Sequence, residues 1–278
     1  LGIAKWGTGK DKPVELEVPK TNEAMYHNTL LPSKKVTSRK GTDTFFDLDS
    51  YNASKIGLKR NMWRGYHIDF LRDQIGSKIV YSETLTESGD TYGRFYIWLP
   101  VHVNRKLKGY IRAQTTKPTN KKFPSYLNAP GSWSLTHGLF PFDPAIRLMK
   151  SLGLTTIILV EGPRDALRLI QAGIPAMSML GTQSWSDQKT RLLEFAGVTR
   201  LVLFLDGDEA GKNATRFLTT GYRVKTDTAA AIKPLGDTFE LKVLRLWNVE
   251  VPPGHPESSL DPGNVPDIYL NKLTRLLT

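Results

Sequence analysis

The chain has 278 residues, 40% of them apolar and 23% charged, with a formal net charge of +11 and no cysteine. This describes a folded protein of one large or two ordinary domains. It excludes disulfides and any thiolate zinc site within the chain, and no apolar run reaches the roughly 18 residues of a membrane span. The charge is lopsided: residues 1–130 carry 22 Lys/Arg against 12 Asp/Glu, and residues 131–278 carry 16 against 15. The first half is therefore the expected partner of a polyanion.

Residues 1–50 are weakly patterned. WGTGKDKP (6–13) has turn chemistry, and its GTGK lacks the spacing of a phosphate loop. The start at Leu1 leads us to expect a fragment or processed chain, and the segment does not read as a secretory signal. FFDLDSYNASKIGLKRNMWRG (45–65) suggests a short helix around Ser50 to Ile56, with Lys55, Lys59, Arg60 and Arg64 forming a basic surface. From about 79 to 112 the pattern turns to strands: KIVYSETL, a turn at ESGD, TYGRFYIWLPV and KLKGYIRAQ, expected as an antiparallel meander. Arg94, Lys106, Lys108 and Arg112 are expected on one surface of it, with Tyr92, Tyr96, Trp98 and Tyr110 mostly as core. TTKPTNKKFPSYLNAPGSW (115–133) is a loop whose Lys117, Lys121 and Lys122 suit phosphate.

A helix between 136 and 154 leads into an alternating α/β pattern. Strands are expected at 156–160, 176–180, 200–205 and 239–246, and helices at 164–172, 186–196 and from Glu209. Gly173 and Gly197 stop the first two helices, and Ser186 is the expected N-cap of the second. The apolar runs TIILV and RLVLFL are continuous rather than alternating, as in strands buried on both faces of a parallel sheet. A Pro-rich loop carrying Asp261 and Asp267 then precedes a helix at about 267–277. The fold class is therefore α/β and α+β, with an open, mainly parallel sheet preceded by a basic α+β part.

Ligand sites in such sheets lie at the carboxyl ends of the strands, where Glu161 and Asp165 follow one run and Asp206, Asp208 and Glu209 the other. Acids gathered there repel one another unless a proton or cation compensates. Mg²⁺, which takes a few carboxylates plus water and substrate phosphate, is the natural candidate. Gly162, Gly181, Thr182 and Gln183 form expected cleft loops, and Arg164, Arg168 and Lys212 lie beside the acids, with Glu209 an alternative partner for Lys212. His67, His102, His137 and His255 lack zinc spacing and read as surface or turn residues, while Met179, Trp185 and Trp247 read as packing residues.

EGPRDA (161–166), MLGTQ (179–183) and LFLDGDEAGKNA (203–214) resemble the catalytic Toprim module of DnaG-type bacterial and bacteriophage primases. FPSYLNAPG (123–131), HGLFPF (137–142) and GRFYIWLP through GYIRAQ resemble the segments that precede it in that family. The resemblance spans about residues 90–270. It implies synthesis of short RNA primers from ribonucleoside triphosphates on a single-stranded DNA template, in the cytoplasm of a bacterium or phage-infected host, alongside a replicative helicase in trans or fused. It implies Glu161, Asp206 and Asp208 as catalytic acids, with Asp165 and Asp261 completing a Mg²⁺ or Mn²⁺ site. Arg94, Arg112, Lys121, Lys122, Arg164 and Lys212 would bind nucleotide phosphate or template. Ser125 stands where these primases carry a lysine, and Asn264 or Asp267 is the expected helper of Asp261. The implied organisation is a template-binding subdomain over 1–135, a Toprim domain over 136–250 and a completing segment over 251–278. The family's zinc ribbon cannot lie in a chain without cysteine, so no zinc is expected in this stretch. Toprim acids also serve nucleases, which leaves a metal-dependent nuclease and an inactive single-strand-binding scaffold as alternatives.

Overall fold

The computed structural model describes residues 43–48, 62–85, 91–115, 125–129, 131–181, 184–222, 232–251, 253 and 260–277. The GTGK loop, the helix expected at Ser50 to Ile56, the ESGD turn, and Lys117, Lys121, Lys122, Thr182, Gln183 and His255 lie outside those residues.

The basic half builds an antiparallel sheet. Strands β1 (Asp43–Phe46), β4 (Lys78–Leu85), β5 (Thr91–Val103), β6 (Lys106–Gln114) and β7 (Tyr126–Asn128) lie side by side in that order. A two-stranded hairpin, β2 (Met62–Trp63) with β3 (Tyr66–His67), stands apart from it. The expected meander is present, extended by a strand on each side. At the two-residue β5–β6 turn, Asn104 (φ 53°) and Arg105 (φ 63°) are both left-handed, as a hairpin turn compatible with strand twist requires.

The expectation that four bases share an open surface fails for two of them. Lys108 and Arg112 are buried, Arg112 at 1% exposure with its guanidinium 5.6 Å from the centre of the Tyr96 ring. The alternation of β6 defines its two faces, but exposure depends on what covers each face. Tyr96 and Tyr110 are core residues, as expected.

The second half is the expected α/β sheet. Four parallel strands, β8 (Thr156–Val160), β9 (Ala176–Ser178), β10 (Arg200–Leu203) and β11 (Glu240–Val243), take the order β11-β10-β8-β9. All five residues of β8 are buried, which is why its run is continuously apolar. The last three strands are shorter than expected: Met179, Phe204 and Leu244 each donate a last N–H to the neighbouring strand, and pairing ends there. Helices α2 (Phe142–Ser151), α3 (Pro163–Gln171), α4 (Asp187–Phe195) and α5 (Glu209–Thr220) follow the amphipathic pattern, and α1 (Trp133–Thr136) is one short turn. Gly173 (φ 78°) and Gly197 (φ 87°) close α3 and α4 in the left-handed region where a side chain is strained. Ser186 does sit at the N-cap of α4, but its hydroxyl donates to Leu135 O at 2.6 Å and does not cap the helix. The tail helix α6 (Asp267–Leu273) tightens into a 3₁₀ turn at Thr274–Leu276, shorter than the single helix expected.

The two sheets share a core. One cluster of buried side chains runs from Trp63, Leu71, Ile97 and Ile111 through Phe140, Phe142 and Met149 to Leu159, Leu203 and Phe217. Helix α2 packs against β5 on one side and against α3, β8 and β9 on the other. From α2, Asp143 accepts the backbone N–H groups of Asn104 (2.8 Å) and Arg105 (2.7 Å), pinning the β5–β6 turn. The HGLFPF segment is stitched to the edge of β9 by reciprocal bonds between Phe140 and Ser178, 2.9 and 2.6 Å. Among the described residues no helix is long and apolar enough to cross a membrane.

Candidate active site

The crossover that places β9 outside β8 leaves β8 and β10 as direct neighbours. Their carboxyl ends therefore bring Glu161 and Asp206 to one edge of the sheet. Three of the acids are tied down by hydrogen bonds that involve backbone. Ser178, at the end of β9, donates its hydroxyl to Glu161 O at 2.7 Å and accepts the N–H of Leu180 at 3.0 Å. Asp165, in the first turn of α3, accepts the N–H of Gly162 at 3.1 Å, which caps the helix and buries the carboxylate at 7% exposure. Asp208 is the N-cap of α5 and accepts the N–H of Gly211 at 2.8 Å.

The DGDEAG turn is tightly packed. A Cβ on Gly211 would stand 2.1 Å from the carbonyl oxygen of Asp206, so only glycine lets α5 start against that backbone. Gly207 N donates to Leu260 O at 2.7 Å, which ties the turn to the C-terminal segment. That segment delivers Asp261. Its N–H donates to Asn264 Oδ1 at 2.8 Å, and its Oδ2 accepts from Asn264 Nδ2 at 2.9 Å, so Asn264 orients this acid. Asp165 Oδ1 and Asp261 Oδ1 lie within 2.4 and 3.0 Å of the place a Cβ on Gly263 would occupy, which shows how closely they approach across that glycine.

The electrostatics follow from this crowding. Burial first, then the charges of Asp165, Glu161, Asp261 and Asp208, push the Asp206 carboxyl up to about 8. Burial, then Asp261, raise Asp165 to about 7. Burial and Asp208 raise Glu161. Glu161 Oε2 and Asp206 Oδ1 are buried without a hydrogen-bond partner. Buried carboxylate oxygens without donors are costly, and a divalent cation would satisfy both and reverse the mutual repulsion. Among the described residues no three acidic or imidazole side chains stand as a ready-made metal shell. This donor set fits a hard cation held by a few carboxylates and completed by water and substrate oxygens.

The five acids expected to share a site are thus brought together, with Gly162 and Arg164 beside them. Arg164 sends Nη2 to Gly263 O at 3.3 Å. Gly181 (φ 112°) opens the loop after β9, behind Glu161. Lys212 lies 3.7 Å from Glu209, the pairing expected as its alternative. Arg94 and Arg112 belong to the antiparallel sheet, Arg94 half-buried and Arg112 enclosed. Arg64, read as part of a basic surface, lies half-buried against the rings of Trp63 (5.3 Å) and Tyr126 (5.8 Å).

Sequence reasoning missed several supports. Tyr66 donates to Arg164 O at 2.8 Å, and Gln171 holds the hairpin through His67 N (2.9 Å) and Gly65 O (3.2 Å). Lys189 was invisible as a buried group. At 0% exposure it donates to Met179 O (3.0 Å) and Ser184 Oγ (3.2 Å), bracing the loop after β9, while burial pushes its pKa down to about 7. His137, expected as a surface or turn residue, does lie in a turn but is 7% exposed; burial and the nearby Lys108 and Lys189 push it down to about 4.

Residues 158–238 match the family model described as Toprim-like. This stretch is similar to a Toprim domain. The chain is similar to the DNA primase of Pseudomonas putida KT2440, 31% identical over 131 residues, covering 46% of this chain and 19% of that protein. The DNA primase of Pseudomonas aeruginosa PAO1 is 30% identical over 132 residues, with the same coverage. The chain therefore matches about a fifth of the length of these relatives. Among solved structures, the RNA polymerase domain of Mycobacterium tuberculosis primase DnaG is 18% identical, with a TM-score of 0.46 over 69% of this chain and 59% of that one. The same domain in complex with double-stranded DNA gives 0.45, again at 18% identity, over 76% and 61%. The Toprim-like match contains Glu161, Asp165, Asp206 and Asp208, and Asp261 joins them from beyond it.

Proposed function

We propose that the chain is the RNA-polymerase part of a DNA primase, which joins ribonucleoside triphosphates into short RNA primers on single-stranded DNA. The observation that carries this reading is the pair of buried, unpartnered carboxylate oxygens, Glu161 Oε2 and Asp206 Oδ1, at neighbouring strand ends of a Toprim-like domain whose sequence is similar to DNA primases.

Glu161, Asp206 and Asp208 are the acids that would hold Mg²⁺ or Mn²⁺, with Asp165 and Asp261 beside them. When bound, the cation stabilises charge on the transferring phosphoryl group and the leaving pyrophosphate. The chain's own residues do the rest. Burial of Asp165 keeps water from its carboxylate. The N–H groups of Gly162 and Gly211 fix Asp165 and Asp208, so the acids are placed before a substrate arrives. The lysines and arginines of the first half supply the field that draws template and nucleotide. In this reading the template-binding part spans 1–135, the Toprim domain 136–250 and the completing segment 251–278, and the protein works in the cytoplasm of a bacterium or phage-infected host beside a replicative helicase.

The test supplies single-stranded DNA, a preformed RNA primer, all four ribonucleoside triphosphates and Mg²⁺ or Mn²⁺. Wild type should extend the primer, and Asp206→Asn and Glu161→Gln should lower extension at least a hundredfold, the scale of losing a major transition-state stabiliser. Equal product from wild type and variants would refute the assignment. Metal-dependent DNA cleavage without incorporation would make the chain a nuclease instead.

A further inference from the structure

Arg168 lies in the second turn of α3. Its Nη1 donates to Pro262 O at 3.2 Å, and its Nη2 donates to Val265 O at 2.6 Å and Asp267 Oδ1 at 2.7 Å. Two of these acceptors, Pro262 O and Val265 O, belong to the turn that follows Asp261, and Asp267 opens α6 just beyond it. That turn closes on Asp261 itself, whose carbonyl accepts the N–H groups of Asn264 (3.0 Å) and Val265 (3.1 Å). We propose that Arg168 is a positioning residue for the metal-binding acids: its planar guanidinium fixes the 262–265 turn on α3 and thereby sets Asp261 against Asp165.

The geometry supports this in three ways. First, the turn is 94 to 97 residues from Arg168, and besides Gly207 N on Leu260 O and the longer Arg164 bond to Gly263 O, the two Arg168 bonds are what tie it to α3. Secondly, the buried anchors on either side, Leu260 and Val265, pack with Ile158, Val160, Ala166 and Leu169 but leave the polar turn between them to be fixed by hydrogen bonds. Thirdly, the approach of Asp261 to Asp165 brings like charges together in a buried place, an arrangement that drifts apart unless the backbone is held. The Asp267 ion pair adds little, because that carboxylate is 88% exposed and screened by water. The two carbonyl bonds carry the role. Lysine, with a point charge in place of a fork, could not reach both carbonyls in this geometry.

The proposal rests on the metal reading of the acids, and Mn²⁺ binding by the whole chain, followed by electron paramagnetic resonance, tests it without any measure of activity. Arg168→Gln should weaken Mn²⁺ binding about tenfold, the lower range for a group that orients a ligand. Asp261→Asn should weaken it to a similar degree, and the double variant no further than Asp261→Asn alone, because both changes act through one acid. Amide exchange at Asn264 and Val265 should accelerate in Arg168→Gln while that of β8 stays protected, which separates a loosened turn from a loosened fold. If Arg168→Gln loses its circular dichroism, the same cycle is run with Arg168→Lys. Unchanged Mn²⁺ affinity in the variant, or losses that multiply in the double variant, would overturn the proposal. If wild type binds Mn²⁺, Asp206→Asn abolishes binding and Arg168→Gln is silent, the proposal falls alone. If wild type binds no Mn²⁺, the reading of the acids falls with it.

Discussion

Lys189 offers a direct measurement of how far burial alters a single charge in this fold. Its ammonium is enclosed at 0% exposure, with two neutral oxygens as partners, and burial lowers its pKa from 10.5 to about 7. Burial is the cause of that shift, and the ammonium in turn lowers the pKa of His137. In the unfolded chain the amine keeps its proton up to pH 10.5. Between pH 7 and 10.5 the unfolded state therefore binds more protons, and stability rises with pH through that window. Below pH 7 both states are protonated and the full penalty persists. Integrating the two titrations gives a wild-type gain of about 3 kcal/mol between pH 7 and pH 10. Lys189→Met removes this titration and also two hydrogen bonds, a loss of about 1–3 kcal/mol at every pH. The variant should therefore match or exceed wild type at pH 7 and fall below it at pH 10. Urea unfolding of both proteins at half-unit pH steps reads the difference, in which all other titrating groups cancel. Parallel stability curves for wild type and variant from pH 7 to 10 would refute the account of Lys189 as a buried, proton-poor amine.

Three further perturbations test the site's construction. Gly211→Ala places a methyl 2.1 Å from a backbone oxygen of Asp206, which cannot yield as a side chain would, so about 1–3 kcal/mol of stability should vanish in thermal melts, together with primer extension. Asp208→Asn keeps the cap on Gly211 and Asp208→Ala removes it. Both should lose extension, but only the alanine variant should lose about 1 kcal/mol in the same melts. Thr156→Val leaves Leu277 O without its buried 2.8 Å donor, and chemical denaturation should register a loss of about 1–3 kcal/mol with Mn²⁺ affinity intact.

The legible parts of the chain were those whose pattern is local. TIILV and RLVLFL announce doubly buried strands because every residue in them is apolar, and the acids that follow fall at the carboxyl ends where parallel sheets bind ligands. Gly173 and Gly197 announce helix ends because of the backbone they allow. What stayed hidden depends on partners far away in sequence. Arg112 and Lys108 sit on a strand face that alternation identifies, yet nothing in KLKGYIRAQ says that this face is enclosed. His137 and Lys189 are polar letters in polar stretches, and their burial results from α1, α4 and β6 meeting. Arg168 read as a base beside the acids and no more, because two of its three acceptors are carbonyl groups, which leave no trace in the amino-acid letters. Strand ends were overestimated for a related reason: LFL continues the apolar run past Leu203, but Phe204 and Leu205 are buried outside the ladder.

Asp143 grips two left-handed residues of the antiparallel sheet from a helix that packs on the parallel one, and the apolar core passes beneath it without a break. Cutting the chain near residue 136 would leave Leu139, Phe142, Ala145 and Met149 without the β5 surface that covers one side of them, and the β5–β6 turn without its carboxylate. The two sheets should therefore melt in a single transition. Any ligand that tightens the acid edge would then raise the melting point of the basic sheet by the same amount, so occupancy of one half can be read from amides in the other.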